Sequence, residues 1–321
     1  MNTRITGTGY SLPAFRADND YLATLVETSD EWITERTGIR ARHLAGEETT
    51  VSMAAAAAEK ALKRAGAEPS EVELLIVATI SGDTVTPSTA CRVQALIGAD
   101  QAVAFDINAA CSGFLYALHM ADACVKSGMY KNALLIGAET LSKLVDWSDR
   151  GTCILFGDGA GAAFVEATEK AGILAHEVGS DGSRWEVLSC EGRPNGNPVC
   201  KAEGQEGFLQ MNGQEVFKFA VRKVPQCIDA ALEKAALKPE EVDLYLLHQA
   251  NCRIIQSVAK RLGQPEEKFP MNLNECGNTS AASLPILMAQ LDEQGKLNRG
   301  DTLVLSGFGA GLTWGACVLR W

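Results

Sequence analysis

A chain of 321 residues, 46% hydrophobic and carrying a net charge of −11, holds enough apolar material for one large core or two smaller ones. The acidic balance argues against a nucleic-acid binder and against polybasic membrane association, so an acidic partner would need a local basic patch. Ten cysteines without a C-x-x-C pair read as reduced thiols, no apolar run approaches bilayer length and no leader pattern opens the chain, which together predict a cytoplasmic protein.

In chain order, Met1–Gly7 enters directly into a strand-and-glycine pattern. Residues 61–78 read as the end of a helix, a Pro-acidic turn and a buried strand. Ala102–Ile107 is a short apolar strand, expected to be buried, and Ser112–Ala121 is a helix. Cys111 lies at their junction, where free N–H groups and the positive end of the helix predict thiolate over thiol; the alternative is a buried small hydrophobe. Phe156–Gly161 and Gly307–Gly311 are glycine turns of the form G-x-G-x-G, without the Lys-Ser/Thr of a phosphate-binding loop; tight strand-to-strand turns are expected. Val242–Leu247 is a strand ended by His248 and the polar Gln249-Ala250-Asn251, a placement suited to a site or to a structural histidine. Asn278 precedes another helix, as a functional carboxamide or as its N-cap.

Segments 61–78 and 231–248 align without gaps at an offset of 170, with seven of eighteen positions identical. At the same offset Ala133–Gly137 meets Leu303–Gly307. The period is too long for a solenoid and points to two fused copies of one α/β unit, 1–170 and 171–321. Each copy predicts a mostly parallel sheet covered by helices, and the two together a five-layer α-β-α-β-α sandwich. The offset places Ala281 opposite Cys111, and functional residues should gather at strand ends near the seam.

These residues resemble the β-ketoacyl-acyl carrier protein synthase III family, on the thiolase fold. The resemblance covers essentially the whole chain: Glu27–Ile33 with Arg36–Arg40, Asn108–Phe114, Asp149–Thr152, Phe156–Ala162, His248–Asn251, Gly277–Ser280 and Gly307–Gly315. It implies an enzyme that initiates fatty acid synthesis by condensing an acyl-CoA primer with malonyl-acyl carrier protein, as a homodimer and without metal or redox cofactor. It implies Cys111 as nucleophile, His248 and Asn278 as donors to the malonyl thioester, and the amides of Cys111 and Ala310 as oxyanion hole. Trp32 and Arg150 would sandwich the CoA adenine, Arg36 would meet its phosphates, and Thr28 would lie along the same entrance. Asn212 and Gly213 match the pantetheine arm and Phe308 the condensation cavity. For the carrier protein, Arg253, Lys260 and Arg261 stand in a stretch with no acidic residue, Arg253 and Lys260 on one helical face, and Lys218 and Arg222 extend the patch.

Thr86 departs from the pattern: many relatives place phenylalanine before the proline of the loop that reaches the partner's acyl pocket. A smaller side chain predicts primers longer than acetyl. Among neighbouring families, elongating ketosynthases use a second histidine where Asn278 stands, degradative thiolases carry a further cysteine in the last glycine turn, hydroxymethylglutaryl-CoA synthases place a glutamate near Thr79, and plant-type polyketide synthases have Gly-Pro-Gly at 309–311. A specialised-metabolism relative and a non-catalytic acyl-CoA binding module remain as alternatives.

Overall fold

The computed structural model describes residues 2–200 and 207–321. Its strands are β1 (Asn2–Ser11), β2 (Phe15–Asp18), β3 (Ala41–Leu44), β4 (Leu74–Ala78), β5 (Val103–Ile107), β6 (Asn132–Glu139), β7 (Gly159–Thr168), β8 (Ile173–Ser180), β9 (Leu188–Ser189), β10 (Gln210–Met211), β11 (Leu244–Leu247), β12 (Thr302–Gly309) and β13 (Thr313–Arg320). The helices are α1 (Asn19–Ala23), α2 (Asp30–Thr37), α3 (Thr50–Ala65), α4 (Thr89–Ile97), α5 (Gly113–Lys126), α6 (Gly213–Lys234), α7 (Cys252–Leu262), α8 (Leu273–Cys276) and α9 (Ser283–Glu293). Local chemistry sets their ends. Thr49 and Ser52 close a capping box on α3, which stops at Gly66 in the left-handed region; Asn251 caps α7, which stops at Gly263 in the same way.

The 170-residue offset runs through the structure. It pairs β4 with β11, the 3-10 turn at 110–112 with that at 280–282, the start of α5 at Gly113 with that of α9 at Ser283, and β6 with β12. One sheet has the order β1-β7-β6-β4-β5 and the other β11-β12-β13-β8. Both are mixed, contrary to the mostly parallel sheets expected. Only β4, β5 and β6 run parallel in the first and β11 with β12 in the second, because each outer hairpin or return strand enters antiparallel.

Strand alternation distributes the core over three interfaces. Leu75, Val77, Leu134 and Ile136 face α3 and α4; Leu74, Ile76 and Leu135 point the other way, onto Phe114 and Leu118 of α5 and Leu287 of α9. Leu246, Leu303 and Leu305 of the second sheet cover the far side of those central helices, while Tyr245, Leu247 and Val304 face α6 and α7. The result is the five-layer α-β-α-β-α order. Strand β5 is not the buried element predicted: it closes one sheet edge, and Val103 and Phe105 stand exposed.

Candidate active site

The chain leaves β5, turns through residues 110–112 and enters α5, so Cys111 sits at a tight strand-to-helix corner. Ala110 holds φ 46° and its counterpart Ser280 holds φ 49°, a left-handed conformation that side-chain-bearing residues seldom adopt. The helix itself starts at Gly113, one residue later than expected. Cys111 is buried, and burial pushes its thiol up to about 12 against a smaller opposing effect from Ser280, so the resting group is a thiol and not the thiolate predicted. Loss of water is the largest influence on the sulfur, ahead of Ser280 and of the Glu139 carboxyl. Gly309 presses on this corner: a Cβ there would lie 2.7 Å from Cys111 N, so only glycine leaves the amide open to a ligand.

His248 extends from the end of β11, where its N–H bonds Ser306 O at 2.8 Å. Its Nδ1 is 2.7 Å from Ser283 Oγ at the start of α9, and Phe308 meets the ring edge-on at 5.5 Å between centroids. Burial holds the imidazole down to about 3, hence neutral. Asn278 is fixed on both sides of its peptide, its N–H donating to Leu155 O at 2.9 Å and its carbonyl accepting from Gly157 N at 3.0 Å. Its Oδ1 accepts from Ser280 N at 2.9 Å, closing a local turn in place of the helix cap considered above. The Nδ2 group is left to face the cavity.

Cys111, His248, Asn278, Phe308 and Gly213 line one inner chamber of about 120 Å³, with Leu155, Met211, Val216, Phe217 and Ile254 as its apolar wall. It opens to an outer vestibule of about 1290 Å³ bordered by Trp32, Arg36, Asn212, Gly213, Lys218 and Arg253. Asn212 also caps α6, its side chain accepting from Glu215 N. Trp32 lies under two guanidiniums, Arg36 at 4.4 Å and Arg150 at 4.8 Å from the ring centroid, so no third ring fits between Trp32 and Arg150 as they stand. Arg150 also donates to Glu27 O at 2.9 Å.

Several other predicted positions fall outside these two spaces. The Thr28 hydroxyl is buried without a partner. Thr86 is exposed on the 84–87 loop beside a fully exposed Val85. Ala310 follows Gly309, where the chamber's lining stops. The basic patch divides: Lys218, Arg222 and Arg261 meet Arg184 and Glu215 around a separate depression, whereas Arg253 donates to Glu35 O at the vestibule and Lys260 joins neither. The first glycine segment is not a strand-to-strand turn, since Gly157 precedes β7 and Gly159 begins it; the second links β12 to β13 as expected.

Two contributors escaped the sequence reading. Ser283 orients His248, and the offset could have flagged it, for it pairs with Gly113 directly after the cysteine corner. Glu139 ends β6 fully buried, its Oε2 accepting from Thr79 Oγ1 at 3.2 Å, Ile80 N at 3.1 Å and Ser81 Oγ. A charge closing the apolar run 133–138 was its signal.

Comparison with known proteins agrees with this geometry. Residues 105–182 match the family model 3-oxoacyl-acyl-carrier-protein (ACP) synthase III, and residues 232–321 match that for its C-terminal part. The chain is 48% identical over 321 residues to a β-ketoacyl-acyl-carrier-protein synthase III of Clostridium perfringens, covering 99% of each. It superposes with a TM-score of 0.93 on the crystal structure of 3-oxoacyl-acyl-carrier-protein synthase III from Aquifex aeolicus, at 48% identity and covering 99% of this chain and 100% of that one. The priming β-ketosynthase of a polyketide biosynthetic pathway also gives 0.93, at 34% identity, over 99% of this chain and 96% of the other.

Proposed function

The chain belongs to the 3-oxoacyl-acyl-carrier-protein synthase III family, and from that premise we propose that Cys111, His248 and Asn278 carry the condensation of an acyl-CoA primer with malonyl-acyl carrier protein that initiates fatty acid synthesis. The observation that supports these roles is the single buried chamber lined by all three side chains.

In the first half-reaction Cys111 sulfur attacks the primer thioester, its amide and that of Ala310 hold the tetrahedral oxyanion, and CoA leaves with the acyl group retained on sulfur. In the second, the malonyl thioester carbonyl sits between His248 and Asn278. The Ser283 hydroxyl donates to Nδ1, which fixes the tautomer with hydrogen on Nε2, and Nε2–H and the Asn278 amide then both donate to the carbonyl. As carbon dioxide departs, the enolate oxygen is held by neutral donors in a water-poor site, where such hydrogen bonds are strongest. The enolate carbon attacks acyl-Cys111 and releases 3-oxoacyl-acyl carrier protein. A neutral His248 suits this step, since an imidazolium would be costly in the empty chamber. No step calls for a metal or redox cofactor.

We assign the CoA nucleotide to the vestibule: Arg150 swings off Trp32 to admit adenine, Arg36 takes phosphate, Thr28 flanks the mouth, and Asn212 and Gly213 line the pantetheine path inward. Lys218, Arg222 and Arg261 face the acidic carrier protein, with Arg253 at the mouth and Lys260 at the margin. A homodimer is supported by the exposed apolar edge at β5, and Thr86 on the neighbouring loop would reach the partner's primer space. Ten cysteines without a C-x-x-C pair suit the cytoplasm; among the described residues no helix is long and apolar enough to cross a membrane. Incubation with malonyl-acyl carrier protein and acetyl-, isobutyryl-, octanoyl- or lauroyl-CoA should yield 3-oxoacyl-acyl carrier protein, with the longer primers accepted. A sharp preference for acetyl-CoA would refute the role given to Thr86, and a product other than the 3-oxoacyl-carrier would assign the chain to a specialised acyl transfer.

A further inference from the structure

Acylation must remove a proton from Cys111, and the imidazole in the chamber is already committed. In the tautomer assigned under the proposed mechanism, Nδ1, 2.7 Å from Ser283 Oγ, accepts from that hydroxyl, and Nε2 carries the hydrogen that the second half-reaction uses. Near enough to Cys111 to act on its thiol electrostatically lies a polar group that the reaction above leaves unused. Glu139 reaches inward from the end of β6 and is wholly buried. Three donors converge on Oε2, while Oε1 has no partner. Ser280 Oγ is likewise buried and without a full hydrogen bond, and its side chain lies against both the Cys111 thiol and the Glu139 carboxyl. Two unsatisfied polar atoms flanking a nucleophile are an expensive arrangement unless hydrogen passes between them.

We propose that Ser280 and Glu139 form a proton relay for Cys111, with Ser280 as the catalytic hydroxyl at sulfur and Glu139 as the group that stores the proton. As the S–C bond forms, the thiol proton moves to Ser280 Oγ and the Ser280 hydroxyl proton moves to Glu139 Oε1. The primer's bond to CoA sulfur breaks, and the CoA thiolate takes a proton from solvent in the vestibule. When condensation later breaks the acyl–Cys111 bond, the released thiolate recovers its proton from Glu139 through Ser280. Glu139 ends the cycle as it began, and no oxidant, reductant or further base is needed.

Burial lifts the Glu139 carboxyl to about 7, against the hydroxyl and amide donors that favour its anion, so near neutral pH it can both accept and return a proton. Its surroundings introduce no competing charge: Thr79, Ile80 and Ser81 from the segment after β4, and Ser280 from the facing turn, are neutral, and Cys111 is the titratable group coupled to it. Thr140 N and Thr50 continue the network behind Ser81 and anchor it to α3.

This inference rests on Cys111 being the nucleophile, and its test separates the two. Single-turnover acylation of Cys111 by acetyl-CoA, or by the best primer of the panel, is followed by intact mass from pH 5.5 to 9 in wild type, Glu139→Gln, Glu139→Asp and Ser280→Ala, with thermal midpoints measured alongside. Wild type should show an inflection near neutrality. Glu139→Gln and Ser280→Ala should lose about 10²-fold at pH 7 and lose the inflection, their rates climbing instead as solvent hydroxide takes over, and Glu139→Asp should recover part of both. A folded Glu139→Gln or Ser280→Ala with the wild-type rate and profile overturns the relay. Should Glu139→Gln fail to fold, Ser280→Ala decides alone. Wild type that never acylates Cys111 defeats the functional reading and the relay together.

Discussion

The two 3-10 turns at 110–112 and 280–282 share a backbone but not a chemistry. Each has a left-handed residue at its head, Ala110 or Ser280, and each is closed by an asparagine two residues earlier: Asn108 Oδ1 accepts from Ala110 N at 3.3 Å, Asn278 Oδ1 from Ser280 N at 2.9 Å. Each is followed by a central helix and abutted by a glycine of the neighbouring strand, Gly309 against Cys111 N and Gly137 against Ala281 O. Beyond that the halves diverge at a few side chains. Where the second half sets His248 on Ser283, the first sets Ala78 on Gly113, so closely that a Cβ at 113 would lie 2.9 Å from that of Ala78. Where the second half keeps Gly309 and an open chamber, the first fills the space with Glu139. The duplication supplied a pair of strained corners; one became a reaction chamber and the other its buried polar wall.

The largest effect breaks the comparison outright. Cys111→Ala should reduce 3-oxoacyl-carrier formation by at least about 10³-fold, and adding Ala281→Cys to that variant should restore nothing, because the second corner faces Glu139 and not a substrate. Recovery of turnover by the double variant, measured by carrier-protein mass, would refute the distinction between the corners.

Next come the donors unique to the second half. His248→Ala and Asn278→Asp should each slow condensation by about 10²- to 10³-fold while leaving acyl transfer from primer to Cys111 within a few-fold of wild type. Separate assays of the two half-reactions decide this; equal loss in both would show that these side chains serve the nucleophile and not the malonyl thioester.

A smaller effect probes the corner itself. Gly309→Ala brings a methyl group to within 2.7 Å of Cys111 N. It should slow acylation by about 10²-fold and cost about 1–3 kcal/mol of stability, read from kinetics and from denaturant unfolding. An unchanged acylation rate would remove the Cys111 amide from the oxyanion hole.

The smallest effect sharpens the contrast through pH. Glu139 is raised by burial from 4.5 to about 7, so the native state binds more protons than the unfolded chain between those values and loses stability as pH rises through them. His248 is lowered by burial from 6.5 to about 3, so the native state binds fewer, and stability falls as pH drops below 6.5. Glu139→Gln should therefore gain on wild type between pH 5 and 8, by about 1–3 kcal/mol, and His248→Gln should gain as pH falls from 7 to 4. Parallel pH profiles for variants and wild type would show that neither group titrates with the fold.

Much of this architecture was legible because local and global signals agreed. The 170-residue offset marked matching helix, turn and strand units, and the same offset placed Cys111 and Asn278 on equivalent turns. Strand direction was not legible, since alternation of apolar residues is the same in parallel and antiparallel pairs. The exposure of β5 was hidden for a related reason: an apolar run reads as buried whether a layer of helix or the edge of a sheet lies beside it. The upward shift of the Cys111 thiol was not legible because a helix end can be seen in sequence, whereas desolvation depends on how residues far apart in the chain close over the sulfur. Glu139 and Ser283 lay unnoticed for want of a motif, although the same offset pairs Glu139 with Gly309 and Ser283 with Gly113.

The central claim is that one chamber unites the sulfur of the first half with the imidazole and carboxamide of the second. Intact-mass measurement of the protein exposed first to acyl-CoA and then to malonyl-acyl carrier protein tests it most directly. The account predicts one acyl group on Cys111 that disappears on the second addition as 3-oxoacyl-acyl carrier protein appears. An acyl group on another residue, or one on Cys111 that malonyl-acyl carrier protein cannot discharge, would contradict it.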